Sequence, residues 1–517
     1  MKKKTTEKKG KVFLVGAGPG DPGLITVKGL ECVAKADVVI YDYLANPAFL
    51  RHAAKDAELI YVGKKGGDHT MSQEGINALI VQKAKTGARV TRLKGGDPFI
   101  FGRGGEEVET LAGAGVSFEV VPGVTSAIAA PAYAGIPLTH RGAASSVTFV
   151  TGHEDPLKEG SDIDWEVLAK NPGTLVFLMG MKNLADIASL LMKHGKSEDT
   201  PAAIVRRGTT GEQRTVSGTL ETIFQRATDA GMKAPAVIVV GKVAGLRKSM
   251  KWFENRPLMG KTIVTTRARA QAGEFSRMLE SLGARALEFP TIEIAPPEDP
   301  IPLSKAVDDI ASYDWLVFTS VNGVQRFFEA LFEKNKDARA LAPVKTAVIG
   351  PATEQRLLDF GVRSDIVPET YRAESIVAAF EKTDIEGKRV LLPRAKDARP
   401  ILPVELRKMG AHVDEVPAYR ARPVSKGAGE LVSLLEKKEI DMVVFTSSST
   451  ARNFAALLPP GRMDELMESV TVAVIGPITA RTALDLGFQV DVSADEYTME
   501  GLTRAILKWA EGAASPC

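Results

Sequence analysis

The stretch VFLVGAGPGDPGL, residues Val12–Leu24, determines how the first half of the chain is interpreted. A short apolar run rich in β-branched residues ends in GAGPGD, which predicts a buried strand followed by a glycine-rich turn. A dinucleotide-binding turn needs glycine at its sixth position, where this chain has Asp21, and a carboxylate there would repel a pyrophosphate. Asp42 nevertheless stands where a ribose-binding acid is expected. The turn therefore predicts a ligand site and leaves open whether the ligand is a dinucleotide or a molecule without phosphates.

Composition excludes several classes of protein. The chain has 517 residues, of which 44% are hydrophobic and 25% charged, so it is too long for a single core. A net charge of +2 argues against a nucleic-acid binder, and no apolar run approaches a membrane-spanning length. Two cysteines cannot form a disulfide framework, and six scattered histidines do not indicate a metal site. We expect a cytoplasmic protein with no metal, no nucleic-acid partner and no membrane partner.

Strand-like runs alternate with helical patterns along the chain, which predicts an α/β fold throughout. Residues 1–11 carry six lysines and no apolar segment, which is typical of a solvated tail. A charged stretch at 245–260 interrupts the alternation. We therefore predict a first domain over 12–249, a linker over 250–259 and a second domain over 260–517.

The second half contains an internal repeat. The segment beginning GKTIVTTRARA at Gly260 is similar to GKRVLLPRAKD at Gly387, and later segments match in the same order. AVIGPATEQRLLDFG from Ala347, for example, matches AVIGPITARTALDLG from Ala473. One α/β plan therefore occurs twice, which predicts two similar lobes with a cleft between them.

Two further glycine-rich segments of the first half follow predicted strands. They are KGGDPFIFGRGG, which begins at Lys94, and PGVTSAIAAPAYAG, which begins at Pro122. Ligands of open α/β sheets bind beyond the carboxyl ends of the strands, where such loops lie. Three loops of this kind favour one shared binding site over three unrelated tight turns.

These motifs resemble those of the uroporphyrinogen-III C-methyltransferases, in the tetrapyrrole methylase family. The similarity runs through VGAGPGDPGLITVKG, VGKKGGDHTMSQEGIN, VTRLKGGDPFIFGRGGEEVETL and GTLVFLMG, and it covers about 12–249. The resemblance implies a two-lobed fold, an S-adenosyl-L-methionine site at GAGPGD, and a homodimer through this half. It also implies methylation of uroporphyrinogen III at C2 and C7 to give precorrin-2, on the route to sirohaem or cobalamin.

The resemblance assigns roles residue by residue. Asp42 matches the proposed proton acceptor of the family, and Lys64 matches the proposed proton donor. Met179 would otherwise be interpreted as a core residue, since methionine often fills gaps in cores. The residues that match cofactor contacts are Pro19, Gly95, Gly96, Asp97, Ile100, Thr125, Ser126, Met179 and Gly208.

The implied substrate is a polycarboxylate, so basic side chains near the loops are candidates to bind it. The alternative for each is an ordinary solvated surface charge. The candidates are Arg92, Lys94, Arg103 and Arg141.

Paired loops mark the second half. FTSVNG at 318–323 corresponds to FTSSST at 445–450, and IGPAT at 349–353 corresponds to IGPIT at 475–479. Their hydroxyls and helix N-terminal amides are suited to binding carboxylates, although helix capping alone would explain each hydroxyl. The two copies differ at Tyr419, whose counterpart in the first copy is Ile292. A polar ring present in one copy only is a candidate for chemistry that the fold itself does not require.

The second half resembles the uroporphyrinogen-III synthases over about 260–517. The family closes linear hydroxymethylbilane with loss of water and inverts the last ring through a spiro intermediate, and its lobes are discontinuous in sequence. Tyr419 matches the tyrosine proposed to help the hydroxyl leave. The residues that match contacts lining the cleft are Thr319, Ser320, Ser447, Ser448 and Thr479.

Together the two resemblances predict a bifunctional enzyme of tetrapyrrole biosynthesis. The product of the second half would be the substrate of the first. One alternative stays open from the sequence. The first half could methylate a later precorrin, and the second could be a two-lobed tetrapyrrole-binding module without catalytic activity.

Overall fold

A computed structural model describes residues 10–63, 71–153, 162–267, 269–368, 373–396, 398, 400–424 and 427–514. Contacts divide the chain into two units. One contains the residues up to Thr262 with Arg277–Ala286 and those from Leu507 onward, and the other contains Ile263–Ser276 with Leu287–Ile506. In these ranges no helix combines the length and hydrophobicity that a bilayer span requires.

The first sheet is formed by five parallel strands. They are β1 Lys11–Gly16, β2 Val38–Tyr41, β3 Glu58–Tyr61, β4 Arg89–Lys94 and β5 Ser117–Val121. Its helices are α1 Val27–Ala34, α2 Gln73–Lys85, α3 Gly104–Gly113 and α4 Ser126–Tyr133, with short 3₁₀ helices at Pro22–Leu24 and Pro47–His52. The strand order is β3-β2-β4-β1-β5, so the strand that precedes GAGPGD lies inside the sheet.

Strand β1 is apolar on both faces because helices cover both sides of a parallel sheet. Phe13 and Val15 pack into one hydrophobic cluster, and Val12 and Leu14 pack into the other. The continuous run VFLV is therefore a central strand, and its carboxyl end lies beside the ends of its neighbours.

The second sheet follows in the same unit and mixes strand directions. Its strands are β6 Val147–Thr151, β7 Thr174–Leu178, β8 Pro201–Arg206, β9 Arg214–Thr219 and β10 Ala236–Val240, in the order β6-β7-β10-β8-β9. Its helices are α5 Trp165–Lys170, α6 Leu184–Lys193, α7 Ile223–Asp229 and α8 Arg247–Met250, with 3₁₀ helices at Gly180–Asn183 and Lys242–Leu246. The two sheets are the two lobes that the resemblance implies for the first half.

The segment 250–259, which we predicted to be a linker, packs against the first unit. The side chain of Phe253 is almost fully buried, and its ring lies 4.8 Å from the ring of Tyr133 at the end of α4. The indole nitrogen of Trp252 donates a hydrogen bond to the Ala132 carbonyl (3.0 Å), and Leu258 is fully buried. Although the stretch is rich in charged residues, its apolar side chains anchor it to the first unit.

Ten strands lie in the part of the second half that the structure describes. They are β11 Thr262–Thr265, β12 Arg285–Glu288, β13 Ile292–Ala295, β14 Trp315–Phe318, β15 Lys345–Val348, β16 Arg389–Ala395, β17 His412–Pro423, β18 Met442–Phe445, β19 Thr471–Val474 and β20 Val492–Ser493. The helices are α9 Arg269–Ser281, α10 Ile301–Asp308, α11 Val321–Glu333, α12 Pro351–Leu358, α13 Ala373–Phe380, α14 Ile401–Lys408, α15 Ala428–Glu436, α16 Ser448–Leu457, α17 Met463–Met467, α18 Pro477–Asp485 and α19 Met499–Ala514. Short 3₁₀ helices lie at Ile310–Ser312 and Ala338–Leu341.

The two repeats exchange their first strands. One sheet has the order β12-β11-β18-β19-β20 and the other has the order β13-β17-β16-β14-β15. Strand β11 of the first repeat thus lies with β18 and β19 of the second, and β16 of the second lies with β14 and β15 of the first. The expectation of two similar lobes is confirmed, and neither lobe is formed by one repeat alone.

The exchange accounts for a difference between the two copies. In the first copy the chain passes from one sheet to the other between β12 and β13, at residues 289–291. In the second copy the corresponding residues belong to one continuous strand, β17. Only β17 therefore keeps this segment in one sheet, and Tyr419 lies on it.

Replacement of Phe253 by alanine tests whether the segment 250–259 is part of the first unit. We expect the change to lower the free energy of unfolding of that unit by about 3–5 kcal/mol, because a buried ring is removed and leaves a cavity. Urea denaturation followed by tryptophan fluorescence measures the effect, with the exposed Lys251→Ala as the matched control. Equal stability of the two variants would contradict the packing described.

Candidate active sites

Two loops of the first sheet are joined backbone to backbone. Gly18 and Gly96 exchange hydrogen bonds, with the Gly96 amide donating to the Gly18 carbonyl at 2.7 Å and the reverse bond at 3.2 Å. Both residues have positive φ, of 76° and 69°, which glycine adopts without strain. A β-carbon on Gly123, in the third loop, would lie 2.3 Å from the Gly96 carbonyl oxygen. The three glycine-rich loops therefore converge at one edge of the sheet.

Asp97 links the second loop to the third. One oxygen of its carboxylate accepts hydrogen bonds from the amides of Phe99 (2.8 Å) and Ile100 (3.2 Å). The other oxygen accepts from the Gly123 amide at 3.0 Å. Hydrogen bonds to an ionised acceptor are stronger than neutral ones, so this one side chain fixes the course of two loops.

Asp21 has partners within the protein. Its carboxylate caps the 3₁₀ helix that follows by accepting from the Gly23 amide (2.7 Å), and it also accepts from the Tyr133 hydroxyl (2.7 Å). The Asp21 amide donates to the Thr209 hydroxyl at 3.0 Å. Burial and the neighbouring carboxylate raise the pKa of Tyr133. Asp21, whose carboxylate argues against a bound pyrophosphate, therefore joins the first loop to α4 and to a loop of the second sheet.

Several residues in loops of the second sheet have a left-handed backbone conformation. Met179, Arg207 and Thr209 all have positive φ, an arrangement that costs free energy for residues other than glycine and is common at functional sites. Met179 is 51% exposed, so the core interpretation of this methionine is wrong. A β-carbon on Gly208 would lie 2.4 Å from the β-carbon of Ala130 in α4. This loop thus closely approaches the helix that begins at Ser126.

The other predicted cofactor residues lie at the same edge. Thr125 is buried and caps α4 by accepting from the Ala127 amide (3.3 Å), and Ser126 is the first residue of that helix. Pro19 is partly buried in the first loop, and Ile100 is exposed in the second. Gly95 follows β4 directly, with no room for a side chain beside Leu44. Their contact with a cofactor stays a prediction.

Asp42 follows β2 and is held at both oxygens. One oxygen accepts from the Leu44 amide at 3.1 Å, and the other accepts from the guanidinium of Arg92 at 3.0 Å. Lys64, the predicted proton donor, lies outside the described residues. The geometry of the predicted acid–base pair is therefore described for its acceptor only.

Arg92 and Lys94 do not face solvent, contrary to what we expected of groups that bind substrate carboxylates. Both are buried on β4 and donate to Glu107 of α3, from Arg92 Nε at 3.2 Å and from Lys94 Nζ at 2.8 Å. Burial and the nearby Arg92 charge lower the pKa of Lys94. Sequence analysis did not select Glu107, although GRGGEE places two acids in the first turn of a helix, where one faces inward.

The two remaining basic candidates are exposed. Arg103 forms a bidentate ion pair with Glu106 at 2.7 and 2.8 Å, and Arg141 lies on the surface. Surface positions leave a guanidinium free to reorient toward an anionic ligand. A role of these two arginines in substrate binding stays a prediction.

Tyr419 lies at an irregularity of β17. The pairing of β16 with β17 shifts at Arg394 and Ala395, so that Ala418 is skipped and Ala395 pairs with Tyr419. Such a bulge redirects the side chains that follow it. The Tyr419 hydroxyl lies 2.9 Å from the hydroxyl of Ser320, which follows β14 in the same sheet. Burial raises the pKa of Tyr419, and the hydrogen bond with Ser320 opposes that shift.

Helix capping occupies two of the predicted hydroxyls. Ser320 caps α11 by accepting from the Gly323 amide (3.0 Å), and Ser447 forms a capping box with Thr450 at the start of α16. Ser448 accepts from the Thr482 hydroxyl at 2.8 Å. The capping interpretation is thus correct for two of these residues, and it leaves room for ligand binding, since a hydroxyl has further hydrogen-bonding capacity.

The two remaining residues predicted to line the cleft, Thr319 and Thr479, differ in how far they are buried. Thr319 is partly buried directly after β14, and Thr479 is buried in the first turn of α18. The structure thus brings Ser320 and Tyr419 together on one sheet, whereas Ser447, Ser448 and Thr479 belong to helices that follow strands of the other sheet. Within the described ranges no group of three or more His, Cys, Asp or Glu side chains is arranged to hold a metal ion.

Comparison with known proteins identifies relatives of both halves. The family described as tetrapyrrole (corrin/porphyrin) methylases matches residues 11–223, and the family described as uroporphyrinogen-III synthase HemD matches residues 273–504. Porphyrin biosynthesis protein HemD of Ruminiclostridium josui is 38% identical over 97% of this chain and 99% of its own length. An S-adenosyl-L-methionine-dependent uroporphyrinogen III methyltransferase of Methanosarcina barkeri is 57% identical over 46% of this chain and 93% of its own.

One solved structure illustrates the same similarity. Uroporphyrin-III C-methyltransferase of Thermus thermophilus, complexed with S-adenosylhomocysteine, is 40% identical to this chain. The match covers 45% of this chain and 93% of that one, with a TM-score of 0.39.

The raised pKa of Tyr419 gives a direct test of its surroundings. We expect its phenol to ionise above about 10, the ordinary value for tyrosine, because burial disfavours the phenolate. Ultraviolet difference titration of the unmodified chain against Tyr419→Phe isolates this one group. Ser320→Ala should move the midpoint further upward, since it removes a hydrogen bond that favours the phenolate. A midpoint at or below 10 would contradict the buried geometry.

Proposed function

The chain belongs to the tetrapyrrole methylase family in its first half and to the uroporphyrinogen-III synthase family in its second, and we propose that both halves catalyse consecutive reactions. The second half converts hydroxymethylbilane into uroporphyrinogen III. The first half methylates that product at C2 and C7 to give precorrin-2, for sirohaem or cobalamin. The convergence of the three glycine-rich loops on the Gly18–Gly96 pair carries the proposal for the first half.

The loops suit S-adenosyl-L-methionine better than a dinucleotide. Gly18, Gly96 and Gly123 present backbone groups at close range, and Asp21 and Asp97 are both occupied by internal hydrogen bonds. Because these glycines carry no side chains, a ligand can approach the backbone closely, and each carbonyl oxygen keeps a lone pair that could accept a hydrogen bond from an adenosine or an amino-acid moiety. The other residues that would hold the cofactor are Pro19, Gly95, Ile100, Thr125, Ser126, Met179 and Gly208.

S-adenosyl-L-methionine supplies an electrophilic methyl group on its sulfonium sulfur. The protein's task is to hold a nucleophilic pyrrole carbon in line behind that methyl group and to accept the proton that the ring must then lose. Asp42 is the proposed acceptor, with its carboxylate fixed by Arg92 and by the Leu44 amide. Arg103 and Arg141 would bind carboxylates of the substrate, and Lys64 would be the proton donor.

In the synthase half, Tyr419 is the proposed proton donor to the departing hydroxyl of hydroxymethylbilane. A tyrosine phenol is protonated near neutral pH, so Tyr419 has a proton to donate. The hydroxyl leaves as water when that proton is transferred, and the phenolate is stabilised by the hydrogen bond from Ser320. Thr319, Ser447, Ser448 and Thr479 would line the substrate site.

The alternative of an inactive second half attached to a methylase of later precorrins is not favoured. Residues 273–504 match the synthase family, and the first half is 57% identical to a protein named for uroporphyrinogen III. We further propose a cytoplasmic homodimer joined through the first half. Light scattering of the purified chain measures that mass directly.

A pair of substitutions tests the two activities separately. Tyr419→Phe should lower formation of isomer III from hydroxymethylbilane by about 10²-fold or more, because the proton donor is lost, and should leave methylation of supplied uroporphyrinogen III unchanged. Asp42→Asn should lower methylation by about 10²–10⁴-fold and leave isomer III formation unchanged. Chromatography of the oxidised tetrapyrroles measures both rates. If either substitution impaired both reactions, or Tyr419→Phe impaired neither, the assignment would fail.

Asp97 offers a test of the proposed cofactor site. Asp97→Ala removes the acceptor of three backbone hydrogen bonds, so the second and third loops should separate and S-adenosylhomocysteine should bind at least about tenfold more weakly. Isothermal titration calorimetry measures the dissociation constant, with the exposed Asp56→Ala as the control. An unchanged constant for Asp97→Ala would place the cofactor elsewhere.

A further inference from the structure

Glu107 is a buried carboxylate that connects α3 to β4. Its side chain has no exposed surface, and one oxygen, Oε1, accepts from Arg92 Nε (3.2 Å), Lys94 Nζ (2.8 Å) and Gln73 Nε2 (3.3 Å). This oxygen therefore accepts hydrogen bonds from three side chains, two of which are the cationic residues of β4. A buried acid of this kind determines where its cationic partners lie.

Arg92 extends from Glu107 to Asp42. Its Nε donates to Glu107, and its Nη2 donates to the Asp42 carboxylate at 3.0 Å. Its Nη1 donates to the carbonyls of Leu93 (3.1 Å) and Ile40 (3.4 Å). The planar guanidinium is therefore fixed on three sides, and any rotation that broke the bond to Glu107 would also displace the nitrogen that holds Asp42.

The charges of this cluster balance only when Glu107 is included. Arg92 and Lys94 project from the same face of β4, and Asp42 alone leaves one of these two cations uncompensated. The second oxygen of Glu107, Oε2, is buried without a hydrogen-bond partner among the described residues. Buried ion clusters with an unsatisfied group contribute little net stability, and an apolar substitute would often serve the fold as well. The arrangement is thus better explained by orientation than by stability.

We propose that Glu107 is a positioning residue for methyl transfer, which acts by fixing Arg92 and, through it, the carboxylate of Asp42. The inference rests on the proposed function, since it requires Asp42 to accept the proton. Glu107 itself does not contact the reacting atoms. Its loss should therefore slow the step that depends on Asp42 and should leave binding of the cofactor, at the loops beyond β1, β4 and β5, nearly unchanged.

Glu107→Gln removes the charge while it keeps the size of the side chain and an acceptor oxygen. We expect kcat for methylation of uroporphyrinogen III to fall about tenfold, with the dissociation constant for S-adenosylhomocysteine changed less than about twofold. Glu109→Gln, on the exposed side of the same helix, is the matched control and should leave both values unchanged. A purely structural role would lower the melting temperature and weaken cofactor binding together.

A double-mutant cycle shows whether Glu107 acts through Asp42. In the Asp42→Asn background, Glu107→Gln should change kcat less than about twofold, since the group that it positions is already absent. Should Glu107→Gln fail to fold, Arg92→Lys makes the same test, because a lysine keeps the charge but has one nitrogen in place of the two, Nε and Nη2, that reach Glu107 and Asp42. Multiplicative losses in the double variant, or an unchanged kcat for Glu107→Gln, would overturn the inference. Failure of the unmodified chain to methylate uroporphyrinogen III would instead overturn the proposed function, and the inference with it.

Discussion

The hydrogen bonds exchanged by Gly18 and Gly96 are the contact on which the first site depends. They bring the loop after β1 against the loop after β4 with no side chain between them, and Gly123 extends the contact to the loop after β5. Any larger residue at Gly123 would collide with the Gly96 carbonyl. Asp97 then fixes the second and third loops, and Asp21 joins the first to Thr209 of the second sheet. This close approach leaves backbone without side chains at the place where we propose that the cofactor binds.

The two copies of the repeat in the second half differ in structure although they share one α/β plan. Both repeats supply strands to both lobes, so a stable lobe requires residues from each copy. The first copy crosses between the sheets at residues 289–291, and there Ile292 begins an edge strand. The second copy stays in β17, where the bulge at Arg394 and Ala395 directs Tyr419 toward Ser320. The residues that the two copies share are explained by the fold, whereas Tyr419, which has no tyrosine counterpart, is the residue that we propose for chemistry.

Sequence patterns predicted the strands and loops because these depend on local rules. Glycine clusters after β-branched runs, such as GAGPGD, mark strand ends without knowledge of tertiary packing. Burial of charge was not predictable in this way. Arg92 and Lys94 looked like surface ligands, because their partner Glu107 comes from a helix whose inward face the sequence does not reveal. Met179 by itself would indicate a core residue, because a strained and exposed methionine has no local signature, and only the family resemblance assigned it to the cofactor site. The apolar anchor Phe253 was likewise hidden among charged residues.

The central claim is that the three joined loops of the first sheet hold the methyl donor. A crystal structure of the full chain with S-adenosylhomocysteine tests it most directly. The account predicts the ligand against the backbone of Gly18, Gly96 and Gly123, within reach of Gly208, and with the Gly18–Gly96 hydrogen bonds retained. A ligand bound elsewhere, or bound only after those hydrogen bonds have broken, would contradict it.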